Sequence, residues 1–366
     1  MKKIVIDARG YSTSTGRYVR KLIEYLEQLE ISGERSYQIL LFEKEFNDYK
    51  PKNKNFSKKI ADFAHYGLAE QAGFLKFLNK LQADLVHFSM PQQPAFYKGR
   101  HVTTMHDLIL LKMFPGNKNR LLFAVKQQIG KYVFKKLGKT SSFVITPTEF
   151  TRQDYLNFSG VDPRKVVLTY ESADKVEVKP VKYTDLENKK YIMYVGQHSA
   201  HKNLRRLMTA HQQLLKTMPD LQLVLVGGIN NYGELNKAWA EENNYKNIVF
   251  TGFAPDAQLA WLYQHCAAYV FPSLMEGFGL PPLEAMHYDA PVISSNATCM
   301  PEVLGDAAVY FDPLDEEEMA SQIKKVLLDP TLQKKLITNG KKQLKKYSWK
   351  RMAEQTLDIY KKALES

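Results

Sequence analysis

The feature that most constrains the fold of this chain is a repeated alternation of short apolar runs with amphipathic helical segments. Runs typical of β-strands recur in the first half at Ile4–Asp7, Gln38–Phe42, Leu85–Phe88, Val102–Met105, Phe143–Thr146 and Val166–Thr169. The second half repeats the plan at Tyr191–Val195, Leu221–Val226, Ile248–Phe250, Ala268–Phe271, Pro291–Ser294 and Ala308–Phe311. Because strands that alternate with helices build βαβ units, each set predicts a parallel sheet covered on both faces. The two sets together predict an α/β chain of two doubly wound, Rossmann-like domains.

A polar segment separates the two sets of strands. Residues 171–190 lack a periodic apolar pattern, as an interdomain linker does, and the pattern after Asp312 is purely helical. We therefore predict an N-terminal domain, a C-terminal domain and a terminal helix that packs back on the first domain, with boundaries at 1–175, 176–345 and 346–366. Ligands of open parallel sheets bind beyond the carboxyl ends of the strands, so candidate site residues should directly follow strands.

Charge is divided unevenly between the two halves of the chain. The net charge is +12, and residues 1–180 contain 30 Lys and Arg against 18 Asp and Glu, whereas residues 181–366 contain 21 of each kind. A basic half of this kind suits nucleic acid, an anionic membrane surface or a phosphorylated acceptor.

Two further features bear on the compartment. The longest apolar runs are much shorter than a membrane span, and Asp7 interrupts the apolar run that follows the basic start. This start predicts a first strand and not a signal peptide. Cys266 and Cys299 have no metal-ligand spacing, so we expect buried free thiols in a cytoplasmic protein.

One loop carries the strongest functional signal. After the strand Ala268–Phe271, residues 272–286 read PSLMEGFGLPPLEAM. Its glycines allow a sharp turn and a close approach to a ligand, and proline suits the first turn of a helix. The backbone N–H groups of such a turn converge on one point, which can bind an anion. Glu276 and Glu284 flank this point, and because carboxylates repel phosphate, their natural targets are sugar hydroxyls.

The stretch from Glu276 to Met286 resembles the E-x7-E signature of the retaining glycosyltransferase family 4, whose members have the GT-B fold. Further segments resemble the family's first-domain histidine motif, its phosphate-binding segment and its closing strands, at residues 104–108, 194–204 and 301–313. The resemblance implies two Rossmann-like domains that face each other across a cleft, followed by C-terminal helices.

The resemblance also implies roles for single residues. Glu284 would hold the ribose hydroxyls of the nucleotide, and Glu276 would hold the transferred sugar. Lys202, at the start of the helix Asn203–Leu215, would neutralise the leaving diphosphate. The diphosphate and sugar oxygens would be received by the loop that contains Gly277, through the backbone amides of Phe278, Gly279 and Leu280. Gly196 would belong to the phosphate segment, and Phe253 would lie near the base.

Two departures from the family pattern change the expected contacts. Gln197 stands where the family often has an arginine, so Arg205 or Arg206, about one turn beyond Lys202, could supply the second positive charge. The first-domain loop usually reads Gly-Ile-Gly. Here residues 14–16 read Ser-Thr-Gly, which leaves Gly16 as the loop's candidate contact to the diphosphate and acceptor.

His106 follows the strand Val102–Met105 and matches the family's sugar-contacting histidine; a structural role at the strand end is the alternative. No Asp-x-Asp occurs in the sequence. The leaving group must then be stabilised by Lys202, arginine and helix ends, which predicts a reaction without metal or cofactor, with the nucleotide sugar as donor substrate. The resemblance implies retention of anomeric configuration, with the leaving phosphate oxygen accepting the acceptor's proton.

The partners are less constrained. The phosphate segment His-Lys-Asn-Leu at residues 201–204, together with Asp-Ala-Arg at residues 7–9, resembles family members that act in surface-polysaccharide assembly, many of which use GDP-mannose. This resemblance favours GDP-mannose as donor, a UDP-sugar next, and a glycan or lipid-linked acceptor. Asn119–Lys139 predicts a basic amphipathic helix that could lie on an anionic membrane, or be an ordinary domain helix with a solvated face. Residues 50–59 form a second basic stretch, predicted as a mobile loop. Together they favour an anionic acceptor and a peripheral location on the inner face of the membrane.

Other functions compete with this one. A second sugar enzyme with two Rossmann-like domains, such as a nucleotide-sugar epimerase or a phosphorylase, is not expected to carry the loop of Glu276 and Glu284 in this form. A nucleic-acid-binding protein is suggested by charge alone. The sequence has no zinc spacing, RNP-like segment or helix-turn-helix signal, so we expect no nucleic acid as partner.

Overall fold

The computed structural model describes residues 1–13, 16–65, 67–113 and 120–365. This part of the chain divides into two compact units. The first unit comprises Met1–Leu111, Arg120–Glu171 and the terminal segment from Ser348, and the second comprises Ser172–Tyr347 together with Lys112 and Met113. Each unit is built around its own parallel sheet.

The first unit contains a seven-stranded sheet whose neighbouring strands all pair in parallel. Its strands are β1 (Lys2–Asp7), β2 (Arg35–Leu41), β3 (Phe56–Ile60), β4 (Leu85–Phe88), β5 (His101–Thr104), β6 (Phe143–Thr146) and β7 (Val166–Leu168). Across the sheet the order is β3-β2-β1-β4-β5-β6-β7, so the strand order reverses between β1 and β4. In register, Ile4 of β1 pairs with Tyr37 on one side and Leu85 on the other. A reversal of this kind opens a crevice for ligands at the carboxyl edge.

Helices cover this sheet because their apolar residues recur at helical spacing. They are α1 (Arg17–Leu29), α2 (Leu75–Leu81), α3 (Ile109–Lys112), α4 (Arg120–Thr140) and α5 (Glu149–Ser159). In α1 the buried residues Leu22, Ile23 and Leu26 fall on one stripe. One core cluster joins strand residues to α2, and a second joins Met105 and Val144 to side chains of α4 and α5.

The prediction of a mobile basic loop at residues 50–59 is wrong in its second half. Phe56–Ile60 form the edge strand β3, which pairs with β2. Side-chain burial alternates only weakly along this strand: Phe56 is buried and Lys59 is exposed. β3 lies at the edge of the sheet and pairs on one side alone. The Lys58 ammonium donates hydrogen bonds to the carbonyls of Phe46 and Tyr49, so this positive charge ties β3 to the segment before it.

The second unit contains a six-stranded parallel sheet, and all six strands predicted for this half are present. They are β8 (Tyr191–Val195), β9 (Gln222–Val226), β10 (Ile248–Gly252), β11 (Ala268–Phe271), β12 (Val292–Ser295) and β13 (Ala308–Phe311). The order is β10-β9-β8-β11-β12-β13, so this sheet reverses between β8 and β11. Its helices are α6 (Leu204–Leu215), α7 (Asn231–Glu242), α8 (Asp256–His265), α9 (Leu280–His287), α10 (Met300–Leu304), α11 (Glu316–Leu328) and α12 (Pro330–Leu344).

The last helix, α13 (Trp349–Glu365), belongs to the first unit and contacts α1. Its Tyr360 hydroxyl lies 2.6 Å from His87 Nδ1, and the guanidinium of Arg100 donates to the Leu364 carbonyl. The buried stripe of α13 includes Trp349 and Met352. Cys266 and Cys299 are buried free thiols, as expected. Among the described helices, none combines the length and the apolarity that crossing a bilayer requires.

Candidate functional site

The predicted site residues of the second unit lie at the carboxyl edge of its sheet, next to the strand reversal. β8 and β11 are neighbours, and the chain leaves them at Gly196 and Pro272. The two segments that follow are joined directly, because the Leu274 amide donates to the His201 carbonyl at 2.8 Å. The segment that resembles the family's phosphate-binding segment (residues 194–204) and the loop of Glu276 and Glu284 (residues 272–286) therefore form one local structure, although they are more than 70 residues apart in sequence.

Gly279 produces the turn that starts α9. Its φ is +84°, in the left-handed region, and a Cβ at this position would lie 2.7 Å from Met300 Cε. The conformation therefore requires glycine, and an added Cβ would also force the end of the Met300 side chain to move. The helix begins at Leu280 with a proline in its first turn and no side-chain cap, while Phe278 packs edge-on against Tyr347. The first amides of a helix have no helical acceptor, so this turn offers hydrogen-bond donors and a positive helix end to an anion.

Lys202 and Glu276 form an ion pair beside this turn. Lys202 Nζ lies 2.6 Å from Glu276 Oε1, and the two side chains are only 15% and 10% exposed. The Glu276 amide donates to Thr298 Oγ1 at 3.1 Å, which holds the backbone of the loop. The family resemblance implies a diphosphate contact for Lys202 and a sugar contact for Glu276, and the structure pairs the two side chains with each other.

The helix after Lys202 begins later than expected. Ala200–Lys202 form a 3-10 turn, Asn203 adopts φ +59°, and α6 starts at Leu204. The sequence analysis placed Asn203 at the start of this helix but gave it no role of its own. Its Nδ2 donates to the carbonyls of Pro272 and Pro313. These two hydrogen bonds hold residues 194–204 against two other loops at the same edge of the sheet. An asparagine just before a helix, where left-handed conformations are tolerated, is the signal that could have identified it.

Glu284 lies one helical turn after Leu280, on α9. Its carboxylate accepts a hydrogen bond from the Tyr263 hydroxyl, with 3.2 Å between the oxygens, and the residue is partly exposed. The Tyr263 ring stacks on Tyr288 at 5.3 Å between centroids. The carboxylate is therefore oriented from α8, while it stays accessible to hydroxyl donors.

The remaining predicted site residues of this unit are Gly196, Phe253 and Arg206. Gly196 follows β8, and its amide donates to the Val226 carbonyl. Phe253 follows β10 and is 80% exposed. The guanidinium of Arg206 contacts Asn203 Oδ1 and Glu316, each at 3.2 Å, so its contacts lie toward the start of α11.

In the first unit, His106 follows β5 and uses both ring nitrogens. Nδ1 lies 3.0 Å from Glu171 Oε1, and Nε2 lies 2.9 Å from the Ser89 carbonyl oxygen. Burial lowers the pKa of His106, but the hydrogen bond and charge of Glu171 outweigh burial and raise it above the ordinary 6.5. Glu171 is a second residue that the sequence analysis did not single out as a site residue, because it lies in the segment interpreted as a linker.

Gly16 lies where α1 begins. A Cβ there would stand 2.3 Å from the carbonyl oxygens of Gly10 and Tyr11, so glycine is required for the chain to close this loop. The rest of the predicted loop, Ser14 and Thr15, lies outside the described residues. Within residues 1–13, 16–65, 67–113 and 120–365, no three His, Cys, Asp or Glu side chains come together as a metal site.

Helix α4 carries the predicted basic surface. Ile129 and Tyr132 are 59% and 55% exposed, and nearby Phe96 is 59% exposed. Lys136 Nζ lies 3.6 Å from the centroid of the Phe96 ring, an exposed cation–π contact. Lys135 and Lys139 are exposed on the same helix; the side chains of Arg120 and Lys126 lie outside the described part.

Comparison with protein families gives two adjoining matches. Residues 15–174 match the family described as Glycosyltransferase Family 4, and residues 176–343 match the one described as Glycosyl transferases group 1. The boundary between the matches falls within a few residues of the division between the two units.

Similar proteins agree with these matches. The chain is 30% identical to the O-antigen chain mannosyltransferase B of Escherichia coli over 279 residues, covering 72% of this chain and 70% of that protein. It is 27% identical to the serotype-specific mannosyltransferase WbdA of Escherichia coli over 72% of this chain, but it spans only 34% of WbdA. Among solved structures, sucrose-phosphate synthase from Thermosynechococcus elongatus has the same fold, with a TM-score of 0.78 at 18% identity over 99% of each chain.

Proposed function

The chain belongs to the glycosyltransferases that join a Glycosyltransferase Family 4 domain to a group 1 domain in the GT-B fold, and from this premise we propose that it transfers mannose from GDP-mannose to a glycan or lipid-linked acceptor. The observation that carries the proposal is the Lys202–Glu276 pair beside the Gly279 turn. It places one cation, one carboxylate and a helix start at the same sheet edge. The relatives, which are named as an O-antigen chain mannosyltransferase and a serotype-specific mannosyltransferase, favour mannose. A UDP-sugar is the second candidate donor.

In this proposal the bound donor replaces the ion pair between Lys202 and Glu276, and each end of the donor contacts one of the two side chains. The diphosphate takes Lys202 Nζ and the amides of Phe278, Gly279 and Leu280, while the sugar hydroxyls donate to Glu276. The ribose hydroxyls donate to Glu284, which Tyr263 already orients. Exposed Phe253 offers its ring to the base.

The transfer itself proceeds without a metal and with retention. The bond between the anomeric carbon and the diphosphate oxygen breaks, and negative charge grows on that oxygen beside Lys202 and the start of α9. The acceptor hydroxyl oxygen bonds to the anomeric carbon from the same face, and its proton passes to the departing phosphate oxygen. The protein supplies position and charge stabilisation, and no side chain is needed as general base.

The first test is thermal stabilisation by UDP, GDP, ADP, dTDP and CMP, with EDTA throughout. We expect GDP to raise the Tm most, because a ligand that binds only the folded state stabilises it by mass action. Glu284→Ala should abolish the rise. The matched control is Glu241→Ala, at an exposed position of α7, which should leave it intact. Absence of any shift, with and without added magnesium, would contradict the donor site.

Transfer is tested with GDP-mannose and an acceptor glycan in EDTA, followed by NMR of the new linkage. An α-linked product from the α-linked donor supports retention. A β-linked product would refute it, and activity that returns only with added magnesium would refute metal independence.

We also propose that the basic, partly apolar face of α4 attaches the protein to anionic membranes, where lipid-linked acceptors lie. Its support is the combination of exposed Ile129 and Tyr132 with lysines on one helix. Sedimentation with phosphatidylcholine vesicles, with and without phosphatidylglycerol, tests it. Binding should require the anionic lipid and fall with salt.

The charge-reducing variant for this test replaces four lysines of α4 with glutamine: Lys131, Lys135, Lys136 and Lys139. Its matched control replaces four exposed lysines of α11 and α12, which are Lys325, Lys334, Lys335 and Lys342. Equal loss of binding in both variants would mean that net charge alone is responsible, and the α4 surface would be rejected.

A further inference from the structure

The histidine of the first unit makes two hydrogen bonds that a sugar-contacting role does not explain. His106 Nδ1 faces a carboxylate oxygen of Glu171 at 3.0 Å, and Nε2 faces the Ser89 carbonyl oxygen at 2.9 Å. Both partners are acceptors, whereas a neutral imidazole has only one N–H. When Glu171 is ionised, both hydrogen bonds form together only if His106 carries two ring protons and a positive charge.

The two acceptors are held in place by their own surroundings. Ser89 follows β4 and is 3% exposed, and its hydroxyl donates to the Asp7 carbonyl at the end of β1. The Glu171 side chain is 7% exposed and lies just beyond β7, while His106 is 23% exposed. The Tyr18 ring from α1 meets the imidazole edge-on, 4.9 Å between centroids. The imidazole thus connects the ends of β4, β5 and β7 at one edge of the sheet.

The charged and titratable groups around the imidazole favour its protonated form. Glu171 and Asp107 are negative, and Tyr18 on α1 is buried with a raised pKa, so it remains a neutral phenol. His87 on β4 is fully buried, which lowers its pKa to about 3. His87 is therefore neutral near pH 7 and places no second positive charge beside His106.

Resting on the transfer reaction proposed above, we propose that Glu171 is a positioning residue: it holds His106 as an imidazolium that donates from both ring nitrogens, in one orientation at the carboxyl edge of the first sheet. Deprotonation of His106 removes one of the two hydrogen bonds, because a neutral imidazole has a single N–H. The ring is then held by one hydrogen bond and is free to rotate about it.

The direction of the pH dependence follows from the raised pKa of His106. A raised folded-state pKa means that the contribution of His106 is present below the unfolded pKa of 6.5 and is lost as pH rises through the higher folded-state pKa. Transfer should therefore decline on the alkaline side with the titration of His106.

The test that does not depend on activity is NMR of the whole protein with ¹⁵N-labelled histidine, in which His106→Gln identifies the signal. We expect both His106 nitrogens to be protonated at pH 7 in the wild type. In Glu171→Gln the amide can still accept a hydrogen bond but carries no charge, so the His106 pKa should fall by ~1–3 units. Glu177→Gln, at an exposed carboxylate of the following segment, should leave it unchanged.

The second readout is the pH profile of kcat/KM for transfer. Glu171→Gln should move the alkaline limb to lower pH by ~1 unit or more and reduce kcat more than it raises KM. A neutral His106 in the wild type at pH 7, or an unchanged His106 titration in Glu171→Gln, would overturn the proposal. If no donor supports transfer, the proposed function fails, while the NMR titration still decides the charge state of the pair.

Discussion

The Lys202–Glu276 pair of the second unit and the His106–Glu171 pair of the first both lie at the carboxyl edge of a parallel sheet, and they differ in what they can still bind. In the second unit Lys202 uses one of three ammonium donors on Glu276, and the carboxylate keeps acceptor capacity of its own. In the first unit His106 has only two donors, and both are used. The Lys202–Glu276 pair can exchange partners with a ligand while both groups keep their charge. The His106–Glu171 pair is part of the framework, and its charge depends on pH.

The largest expected effect comes from breaking the exchangeable pair. Lys202→Met should reduce kcat by ~10³-fold or more, because the leaving diphosphate loses its cation in a site of low water content. It should also destabilise the second unit by ~3 kcal/mol, since Glu276 is left largely buried without a partner. Urea unfolding and transfer kinetics measure the two effects.

The double variant Lys202→Met with Glu276→Gln separates these effects. It should recover most of the lost free energy of unfolding, because no uncompensated charge remains, and it should recover no activity. If the single variant is as stable as the wild type, the Lys202–Glu276 pair does not contribute to the free energy of unfolding of the second unit.

Backbone strain gives a second comparison between the units. Gly279→Ala should cost ~2–3 kcal/mol in free energy of unfolding, because the left-handed φ is strained for alanine and the new Cβ meets Met300. Gly160, which ends α5 in the first unit, has φ +65° and nothing within 4 Å of an added Cβ. Gly160→Ala should therefore cost only ~1 kcal/mol. Equal costs would show that crowding at Met300 relaxes freely.

Two histidines of the first unit should respond to pH in opposite directions. The pKa of buried His87 is lowered to about 3, so between pH 3 and 6.5 the unfolded chain binds the proton that the folded one does not. Stability should then fall by as much as ~1.4 kcal/mol per pH unit as pH drops below 6.5. His87→Gln should remove this contribution, measured by urea unfolding at pH 5 and 7. An equal acid sensitivity in the variant would assign the effect to the other histidines whose pKa values burial lowers, which are His101 of the first unit and His198, His201 and His211 of the second.

The smallest effect is expected at the exposed aromatic ring of the second unit. Phe253→Ala should leave stability within ~0.5 kcal/mol of the wild type, because the ring is 80% exposed. It should weaken nucleotide binding several-fold if the ring stacks on the base, measured by calorimetry. Unchanged binding would place the base elsewhere.

The sequence predicted the second unit better than the first, and the reason is physical. The central strands β8, β9, β11 and β12 are buried on both faces and read as continuous apolar runs, and the edge strands β10 and β13 are apolar enough to be recognised as well. The glycine turn that starts α9 was also recognisable. The edge strand β3 was missed because only Phe56 is buried in it. The role of Glu171 could not be predicted, since its partner His106 is 65 residues away and the polar segment around it has no period. The delayed start of α6 at Leu204 depends on side-chain hydrogen bonds from Asn203 to two distant loops, which no local pattern contains.

The return of α13 to the first unit has a consequence for the order in which the protein can be completed during synthesis. The ribosome makes the second unit, to Tyr347, before it makes Ser348 and the helix that covers α1 and bonds His87 through Tyr360. Residues 1–171 must therefore wait, with one face of α1 uncovered, while 176 further residues emerge. The first unit therefore gains its last helix only after the second unit has been made. In that interval the uncovered face of α1 is the surface most in need of protection by chaperones.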